Sequence, residues 1–569
     1  LDHTERALAL FSAVAPAQRP DGLTEMDLTR GASVLAGAAG QQERSLTFAR
    51  SAVAMIDSDT DPEEAATSLR RLVIALAVFD GTADERGELI ARAWQLVAEL
   101  PASGRRAWVL AVRASTVRRT DPEQAAESAR MAIADAATAG AAAAMSDALV
   151  TLGLVEDRAG HVEQAEGHLR AAIAPARQAG AVNTELRAHF FLGLHELDLG
   201  RLPAALRALQ QGNRRARETG LRWCVYGLEL RTVSMVAHFV AGEWDEVAEL
   251  MADRPPRSDT VTARVSATGL GVLVGRGRFT ECEALLRQLR EHWHLDGTIA
   301  VSAGTEGAVS ALWQGDAARA EARIAELLEF VDAEDDQVHL STIRIAAIGL
   351  IAAAEVSATD AQDRGVVQRR ADALMARVRH TVEKASPAGA TLGPEARAWI
   401  AVATAAHQQC HGGDAVAGWA AAVDAFDYGD DYQQACARLR LAGLLLTGGM
   451  PERARDQLVA ALQVAERVGA EPLREAITAL AGRARLSLPG KEQAGKQRRR
   501  STGDEVFTPR ELAVLRLVAG GQTNRAVGEA LFISEKTVSV HLSRVMAKLG
   551  ARRRAEAVAI AIQRRLLDP

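Results

Sequence analysis

Residues 508–558 read TPRELAVLRLVAGGQTNRAVGEALFISEKTVSVHLSRVMAKLGARRRAEAV, and this stretch decides the fold of the C-terminal part of the chain. Apolar residues recur in it at three- and four-residue spacing, which is typical of amphipathic helices. Thr508–Glu511 has the pattern of a capping box with proline at the first helical position, and Gly520–Gly521 ends the pattern. The stretch therefore opens with a helix whose inward face carries Leu512, Leu515 and Val518.

Two further helices follow in the same stretch. A short helix begins near Thr523 and carries Val527 and Leu531. After a turn at 532–533, Ser534 caps a third helix, which ends at Gly550. The inward face of this third helix carries Val538, Leu542, Val545 and Leu549. Two helices joined by a short turn, the second with a polar and basic outer face, predict a helix-turn-helix.

The outer face of the third helix suits duplex DNA, because its cations and hydroxyls can reach both phosphates and base edges. The side chains predicted on this face are Lys536, Thr537, Ser539, His541, Ser543, Arg544 and Lys548. A final segment runs from Arg552 to Leu567 with an apolar stripe, which packs either on the same unit or on a second copy of it. The stripe consists of Val558, Ile562 and Leu566.

Charge separates this tail from the rest of the chain. Residues 491–569 hold 16 basic and 8 acidic side chains, whereas the first 490 residues hold 51 basic and 65 acidic ones. From about Ala481 to Val506 the chain is polar and includes the run Arg498–Arg500, which predicts a flexible basic linker. Such asymmetry favours a basic part that meets a polyanion and an acidic part with another task.

The acidic part has the pattern of an all-helical structure. Apolar residues recur there at three- and four-residue spacing, good helix formers fill the segments, and aromatic residues make up only 4% of the chain. Asp61 and Asp121 are each followed by proline and then by Glu or Gln at the third helical position, which predicts capped helix starts.

Turn residues recur through this part at separations of 40, 40, 42, 35 and 38 residues. A mostly small residue follows each turn five places later and a usually apolar one nine places later, as expected where two helices of a hairpin cross. The turns are Thr120, Gly160, Gly200, Gly242, Gly277 and Gly315, with a further copy at Gly449. The fifth positions are Ala125, Ala165, Ala205, Val247, Cys282, Ala320 and Ala454. This period predicts a helical solenoid.

The repeats resemble the tetratricopeptide family, and Gly153 and Gly193 supply the small residue that the family places seven positions before the turn. Between Gly315 and about Gly412 no repeat can be placed, and a break is predicted near residues 254–260. An irregular helical bundle is the alternative. Solenoids bind peptides, helices or small effectors along a concave face.

Patterns of catalytic or cofactor chemistry are weak. Gly490–Lys496 has P-loop spacing, but Gln497 stands where a magnesium-binding hydroxyl is needed and no strand precedes it. His407, Cys410 and His411 could share one helix face as zinc ligands, but they lack a fourth partner. We therefore expect no enzyme activity, no cofactor and no metal. Four widely spaced cysteines fit a reducing cytoplasm, and neither a membrane span nor a signal peptide is apparent.

The C-terminal stretch resembles the LuxR-type DNA-binding domain, a four-helix helix-turn-helix. The matching positions are Thr508–Glu511, Asn524, Arg525, Ser534–Val538, His541 and Lys548–Gly550. The resemblance implies that 524–543 form the two-helix motif and that the fourth helix dimerises. It further implies groove contacts from Ser539, Val540 and Ser543, and phosphate contacts from Lys536, Thr537, Arg544 and Lys548. Two serines stand where relatives often carry cations, so bases are read weakly or through DNA shape.

A repeat array ahead of such a domain resembles the large ATP-binding LuxR-type regulators, which include the maltose-regulon activator. In that group a P-loop ATPase precedes the repeats, whereas these 569 residues hold no complete P-loop. Either the ATPase lies upstream of Leu1, or this version has lost it. The resemblance also implies RNA polymerase as a partner.

Together these patterns predict an all-α protein with a tetratricopeptide-like solenoid at 1–485, a linker at 486–506 and a LuxR-type domain at 507–569. The expected function is a cytoplasmic transcription regulator that binds promoter DNA as a homodimer and senses an effector or partner protein with its repeats. We expect it to act as an activator. The alternative is a repeat scaffold that holds a partner, with DNA binding secondary. A sigma-type factor would need an aromatic-rich melting region, and a phosphorylation-gated regulator would need strands; neither is apparent.

Overall fold

Every regular element in the described part of the chain is helical, in a computed structural model that covers residues 1–569. The structure describes residues 1–488 and 509–563, apart from 12, 16–17, 21–22, 57–60, 80, 254–258, 335–339, 360–363, 386–391, 532–534 and 552. The chain divides into two units, Leu1–Ala484 and Arg485–Pro569, which we call the repeat unit and the C-terminal unit. The linker predicted at 486–506 lies almost wholly outside the described residues.

Fourteen α-helices lie in the described residues of the first half of the repeat unit. They are α1 (Asp2–Phe11), α2 (Glu25–Ala38), α3 (Gln42–Ala54), α4 (Pro62–Leu76), α5 (Ala83–Val97), α6 (Gly104–Val117), α7 (Pro122–Ala139), α8 (Ala142–Arg158), α9 (Val162–Ala171), α10 (Ile173–Gln178), α11 (Val182–Asp198), α12 (Leu202–Glu218), α13 (Val225–Val240) and α14 (Trp244–Ala252).

The second half continues in the same way, with a 3-10 helix at Arg290–Leu295. Its α-helices are α15 (Asp259–Thr268), α16 (Leu270–Gly275), α17 (Phe279–Leu289), α18 (Gly297–Trp313), α19 (Ala317–Glu334), α20 (Ser341–Thr359), α21 (Arg364–Ala385), α22 (Pro394–Cys410), α23 (Val416–Ala425), α24 (Asp431–Thr447), α25 (Pro451–Val468) and α26 (Glu471–Arg483).

Both predicted capped starts are present. The Asp61 carboxylate accepts the Glu64 amide at 3.0 Å, and the Asp121 carboxylate accepts the Gln124 amide at 2.9 Å. Each proline that follows is the first residue of its helix, so its missing N–H leaves no intrahelical bond unmade.

The hairpin turns lie where the repeats predict them. Six predicted glycines adopt φ between 72° and 82°, a left-handed conformation that favours glycine, and each separates two consecutive helices. All seven fifth-position residues, from Ala125 to Ala454, are fully buried. A Cβ on Gly153 would lie 2.9 Å from Leu169 Cγ, and one on Gly193 would lie 2.5 Å from Leu209 Cδ2. The small residues therefore let the two helices of each hairpin approach closely.

Neighbouring hairpins share overlapping hydrophobic cores. One cluster joins α6, α7 and α8 through Leu110, Ala129 and Leu152. The next joins α8 to α9, α11 and α12, and a third continues from α11 to α13. This chain of local cores is the packing of a tetratricopeptide-like solenoid, which confirms the predicted fold class.

The stretch in which no repeat could be placed also forms hairpins, α20 with α21 and α22 with α23. Gly349 of α20 lies against Leu374 of α21, 25 residues later, whereas Gly153 and Leu169 are 16 residues apart. The longer separation explains why the spacing rule did not find this hairpin. Most of the predicted break near 254–260 lies outside the described residues, between the ends of α14 and α15.

The C-terminal unit contains four described helices. They are α27 (Pro509–Ala519), α28 (Asn524–Leu531), α29 (Glu535–Leu549) and α30 (Arg554–Gln563). Thr508, Ser534 and the turn at 532–533, which were predicted to cap and connect these helices, lie outside the described residues.

Candidate nucleic-acid interface

The core of the C-terminal unit fixes the orientation of α29. Val538 and Leu542 pack with residues of α27 and α28, and Val545 and Leu549 pack with residues of α27 and α30. All four side chains are at most 6% exposed, as predicted. Because one side of α29 is held in two apolar clusters, its opposite side faces solvent.

The solvent side of α29 is polar. Glu535, Ser539 and Ser543 recur every four residues, form one stripe along the helix and are exposed. Further residues of the predicted interface lie on α29, but their side chains are outside the described set: Lys536, Thr537, Val540 and Arg544. The structure thus places every predicted groove and phosphate position of this helix on one continuous element, Glu535–Leu549.

Asn524 connects three helices of the unit. It begins α28 directly after Thr523, whose hydroxyl accepts the Ala526 amide at 3.3 Å and caps the helix. The Asn524 side-chain amide donates to Ser539 Oγ at 3.1 Å, and its oxygen accepts from Arg554 Nη1 at 3.4 Å. Two residues predicted as DNA contacts, Asn524 and Ser539, are therefore bonded to each other.

Arg554 is a contributor that the sequence did not single out. It begins α30 and also donates to the Gln522 carbonyl, so it ties the fourth helix to the start of α28. The sequence showed it only as the last member of the run at 552–554. Nothing in that run distinguishes a structural arginine from one that faces DNA.

Lys548 lies at the other end of α29 and has an internal partner. Its ammonium pairs with the Glu511 carboxylate of α27, whose side chain is only 4% exposed. The predicted phosphate contact is therefore a cation already paired within the unit. Of the remaining predicted contacts, Arg525 is exposed on α28, and His541 is half-buried. His541 Nδ1 has no hydrogen-bond partner among the described residues.

The fourth helix only partly follows its predicted stripe. Ala557 and Ala561 are fully buried against the unit, with Val558 packed beside them. Ile562 is 46% exposed, and Leu566 lies outside the described residues. The buried alanines, with Val558 and Ile560 packed beside them, hold α30 close to α27 and α29.

The predicted metal candidate has a different composition in the structure. His407 and His411 both hydrogen-bond Asp372 Oδ1, at 2.8 and 3.0 Å. Cys410 is buried and points to the Leu350 carbonyl, 3.8 Å away. The third member of the group is thus a carboxylate from α21, and histidine hydrogen bonds account for the arrangement. The P-loop-like segment 490–496 lies outside the described residues.

A cavity of about 460 Å³ near α18, α20, α22 and α24, here called the aromatic cavity, has the size of a small-molecule site. Its wall includes Trp313, Trp399, Trp419, Phe426 and Tyr432. Two of its three arginines are paired: Arg344 pairs with Glu306 at 2.7 Å, and Arg440 pairs with Glu355 at 3.0 Å.

The sequence of the C-terminal unit matches a known protein family. Residues 505–561 match the family described as "Bacterial regulatory proteins, luxR family". This stretch is a LuxR-family DNA-binding domain. The oxygen regulatory protein NreC of Staphylococcus aureus, in strains JH9 and USA300, is 39% identical to this chain over 64 residues. That match covers 11% of this chain and about 30% of the length of NreC.

Solved helical structures are also similar to the chain, at low scores. The apo form of RapI has 12% identity and a TM-score of 0.30, over 53% of this chain and 100% of RapI. A Rap protein complexed with competence and sporulation factor has 9% identity and a TM-score of 0.37, over 79% of this chain and 99% of that one. Among the described helices, none combines the length and hydropathy needed to cross a bilayer.

Proposed function

We propose that this protein is a transcription regulator that places α29 in the major groove of promoter DNA and controls this step through its repeat unit. The observation that carries the proposal is the orientation of α29, within a LuxR-family domain. Its apolar side is buried in two clusters, and its Glu535–Ser543 stripe is open to solvent. A helix held in this way can enter a groove about 12 Å wide without unfolding the unit.

The side chains of this interface divide into those that contact bases and those that contact phosphates. Ser539 and Ser543 carry short hydroxyls that can bond several base edges, so base readout is modest and DNA shape contributes. Arg525 and the cations of α29 supply the phosphate contacts, which make the affinity depend on salt. Asn524 positions Ser539 through their hydrogen bond.

We further propose a homodimer that pairs two C-terminal units through α30. The exposed Ile562 on α30 supports this, because an apolar side chain beside a buried alanine face can extend the packing to a second copy. Two copies related by a twofold axis would read half-sites about one helical turn apart.

The proposed regulator also needs a signal, a transcription partner and a location in the cell. The repeat unit binds an effector or a partner protein, the regulator acts as an activator with RNA polymerase, and it works in the cytoplasm without catalysing a reaction. The resemblance to the large ATP-binding LuxR-type group supports activation by an effector. A repeat scaffold with secondary DNA binding is the competing function.

Selection of duplexes from a random pool with the full chain tests DNA binding. The selected duplex should bind with a steep log–log salt dependence, and Arg525→Gln should reduce the slope by about one. Arg207→Gln, an exposed arginine on α12 of the repeat unit, is the charge-matched control and should leave the slope unchanged. If no sequence is enriched and Arg525→Gln equals the control, the DNA-binding proposal is wrong and the scaffold is favoured.

A further inference from the structure

The repeat unit contains a second and larger cavity, here called the arginine cavity. Its volume is about 1210 Å³, and its wall is built by residues of α2–α6, α8, α11 and α13, by residues from Asp296 to Val301, and by Phe330, Val331 and Ser341. Its charges are strongly unequal, since six arginines face only two carboxylates, Asp147 and Asp296. The arginines are Arg70, Arg71, Arg86, Arg118, Arg119 and Arg187.

Arg70 is a buried arginine of this cavity that forms no ion pair with the described residues. It is only 7% exposed, and it forms no hydrogen bond or ion pair with the described residues. Its guanidinium carbon lies 5.1 Å from the centroid of the Trp108 ring. Burial, and next the charge of Arg71, lower the pKa of Arg70 to about 9. A buried cation that forms no ion pair with the described residues is costly, so its position needs a reason.

Two more arginines of the cavity, on neighbouring helices, also form no ion pair with the described residues. Arg118 follows α6 and donates to the Ser115 carbonyl at 2.8 Å, which supplies no negative charge. Burial, and then Arg187, lower the pKa of Arg118 to about 10. Arg86 of α5 has a buried Nε without a hydrogen-bond partner among the described residues, and burial lowers its pKa as well.

The two carboxylates of the cavity are already engaged. Asp147 pairs with Arg187 at 3.0 Å. Asp296 accepts the Thr298 amide at 2.9 Å, which caps α18, and lies 3.6 Å from Arg264. The lining therefore holds four more guanidinium groups than carboxylates, although the first 490 residues of the chain carry 65 acidic side chains against 51 basic ones.

Apolar rings lie beside these cations. Trp108, Phe191 and Tyr226 line the cavity, and Arg187 lies over the Phe191 ring at 5.4 Å. The aromatic cavity is less unequal, because it has three arginines and two glutamates, and two of the arginines, Arg344 and Arg440, pair with those glutamates. The excess of arginines over carboxylates is thus larger in the arginine cavity than in the aromatic cavity.

We propose that the arginine cavity binds a small molecule with two or more phosphate or carboxylate groups on an apolar or aromatic body. The guanidinium groups hold the anionic groups by charge-assisted hydrogen bonds, and the rings hold the body. The inference deepens the proposed function by giving the chemical class of the effector, and only its regulatory consequence rests on that function.

The distribution of the arginines favours a small polyanion over an acidic peptide. In an extended peptide, successive side chains point to opposite sides, so only about half of its carboxylates could face one wall. The arginines instead come from several neighbouring helices, and Arg118 feels the charges of Arg187, Arg119 and Arg86. Such a group is matched best by a molecule whose anionic groups lie close together.

The test uses the full chain and pyrenetetrasulfonate, an aromatic polyanion whose fluorescence anisotropy rises on binding. We expect Arg70→Gln and Arg118→Gln each to weaken binding about tenfold, and the double variant to weaken it further. Arg92→Gln is the matched control, because Arg92 is exposed on α5, the helix that carries Arg86. Displacement by inorganic tripolyphosphate or by citrate distinguishes phosphate from carboxylate ligands.

Folding of the variants is checked by thermal unfolding. For the unaltered chain, tripolyphosphate or citrate should raise the midpoint of unfolding, because a ligand of the folded state stabilises it. Because this measurement uses the unaltered chain, it can be made even if a variant fails to fold. Absence of any such rise, together with undiminished probe binding by the double variant, would overturn the proposal.

The basic C-terminal unit could also attract the probe, and Arg525→Gln separates the two sites. Probe binding that falls in Arg525→Gln and persists in Arg70→Gln would place the polyanion on the C-terminal unit and contradict the inference. Stronger displacement by hexaglutamate than by tripolyphosphate and citrate would favour an acidic peptide instead. If the chain binds the probe but no duplex, the proposed DNA-binding function is wrong and the arginine cavity remains assigned to a polyanion.

Discussion

Lys548 of α29 and Glu511 of α27 form an ion pair in which the two partners differ in exposure. The Lys548 side chain is 41% exposed, whereas the Glu511 side chain is 4% exposed. The pair therefore stabilises a nearly buried carboxylate, and it fastens the end of α29 to the first helix of the unit. A residue whose type and place suggest DNA contact thus has a structural role that the residue type does not reveal.

Lys548→Met should lower the free energy of unfolding of the C-terminal unit by about 1–3 kcal/mol, because the buried Glu511 carboxylate loses its cation. Hydrogen exchange of amides in 509–563 measures this unit separately from the repeats. The double variant Lys548→Met with Glu511→Gln should recover most of the loss. Equal stability of Lys548→Met and the unaltered chain would show that the pair contributes nothing.

Asn524 and Ser539 should be energetically coupled. Asn524→Ala and Ser539→Ala remove the same hydrogen bond, so their combined effect on stability should be smaller than the sum, by about 0.5–1.5 kcal/mol. Duplex binding should weaken about tenfold in Asn524→Ala, since α29 loses a tether to α28. Ser543→Ala, on the same exposed stripe, is the control and should leave stability unchanged. Additive effects of the first two variants would contradict the coupling.

Much of the repeat unit could be predicted because its rules are local. A turn glycine, a small residue five positions later and a capped proline start each act within one hairpin, and Gly160 with Ala165 is an example. The inward face of α29 could be predicted for the same reason, since Val538, Leu542, Val545 and Leu549 follow the helical period.

The features that local rules miss join distant positions. Glu511 and Lys548 are 37 residues apart, and Asp372 lies 35 residues from His407. The arginine cavity brings together residues of α4, α5 and α11 that sequence spacing does not connect. The acidic balance of the first 490 residues even points away from an electropositive cavity, because net charge carries no information on placement.

Gly193→Ala should destabilise the repeat unit by about 1–3 kcal/mol, because the new Cβ would lie 2.5 Å from Leu209 Cδ2. Gly443→Ala is the control: Gly443 lies within α24 with nothing within 4 Å of a Cβ, so alanine should stabilise the helix by about 0.5–1 kcal/mol. Urea unfolding followed by circular dichroism compares the two. In a Leu209→Ala background, Gly193→Ala should cost less than it does in the unaltered chain, because the side chain that its Cβ meets has been removed.

Asp430→Asn tests a buried carboxylate at the start of α24. Asp430 is 5% exposed and caps the helix by accepting the Gln433 amide at 3.1 Å. Burial raises the pKa of Asp430 from 3.8 to about 7, and the charge of Glu395 adds to this effect. Asparagine keeps the capping oxygen and removes the charge, so the variant isolates the effect of ionisation.

The sign of the pH dependence follows from linkage. Between pH 4 and 7 the folded state holds a proton on Asp430 that the unfolded state has released, so the free energy of unfolding falls as pH rises through this window. Asp430→Asn should therefore stabilise the chain by about 1–3 kcal/mol at pH 8 and change it little at pH 4. Asp431→Asn, which removes a half-exposed neighbour paired with Arg467, should give no comparable gain. Unfolding curves at pH 4 and pH 8 measure the change in the free energy of unfolding for each variant. An equal effect of Asp430→Asn at the two pH values would rule out a raised pKa of Asp430.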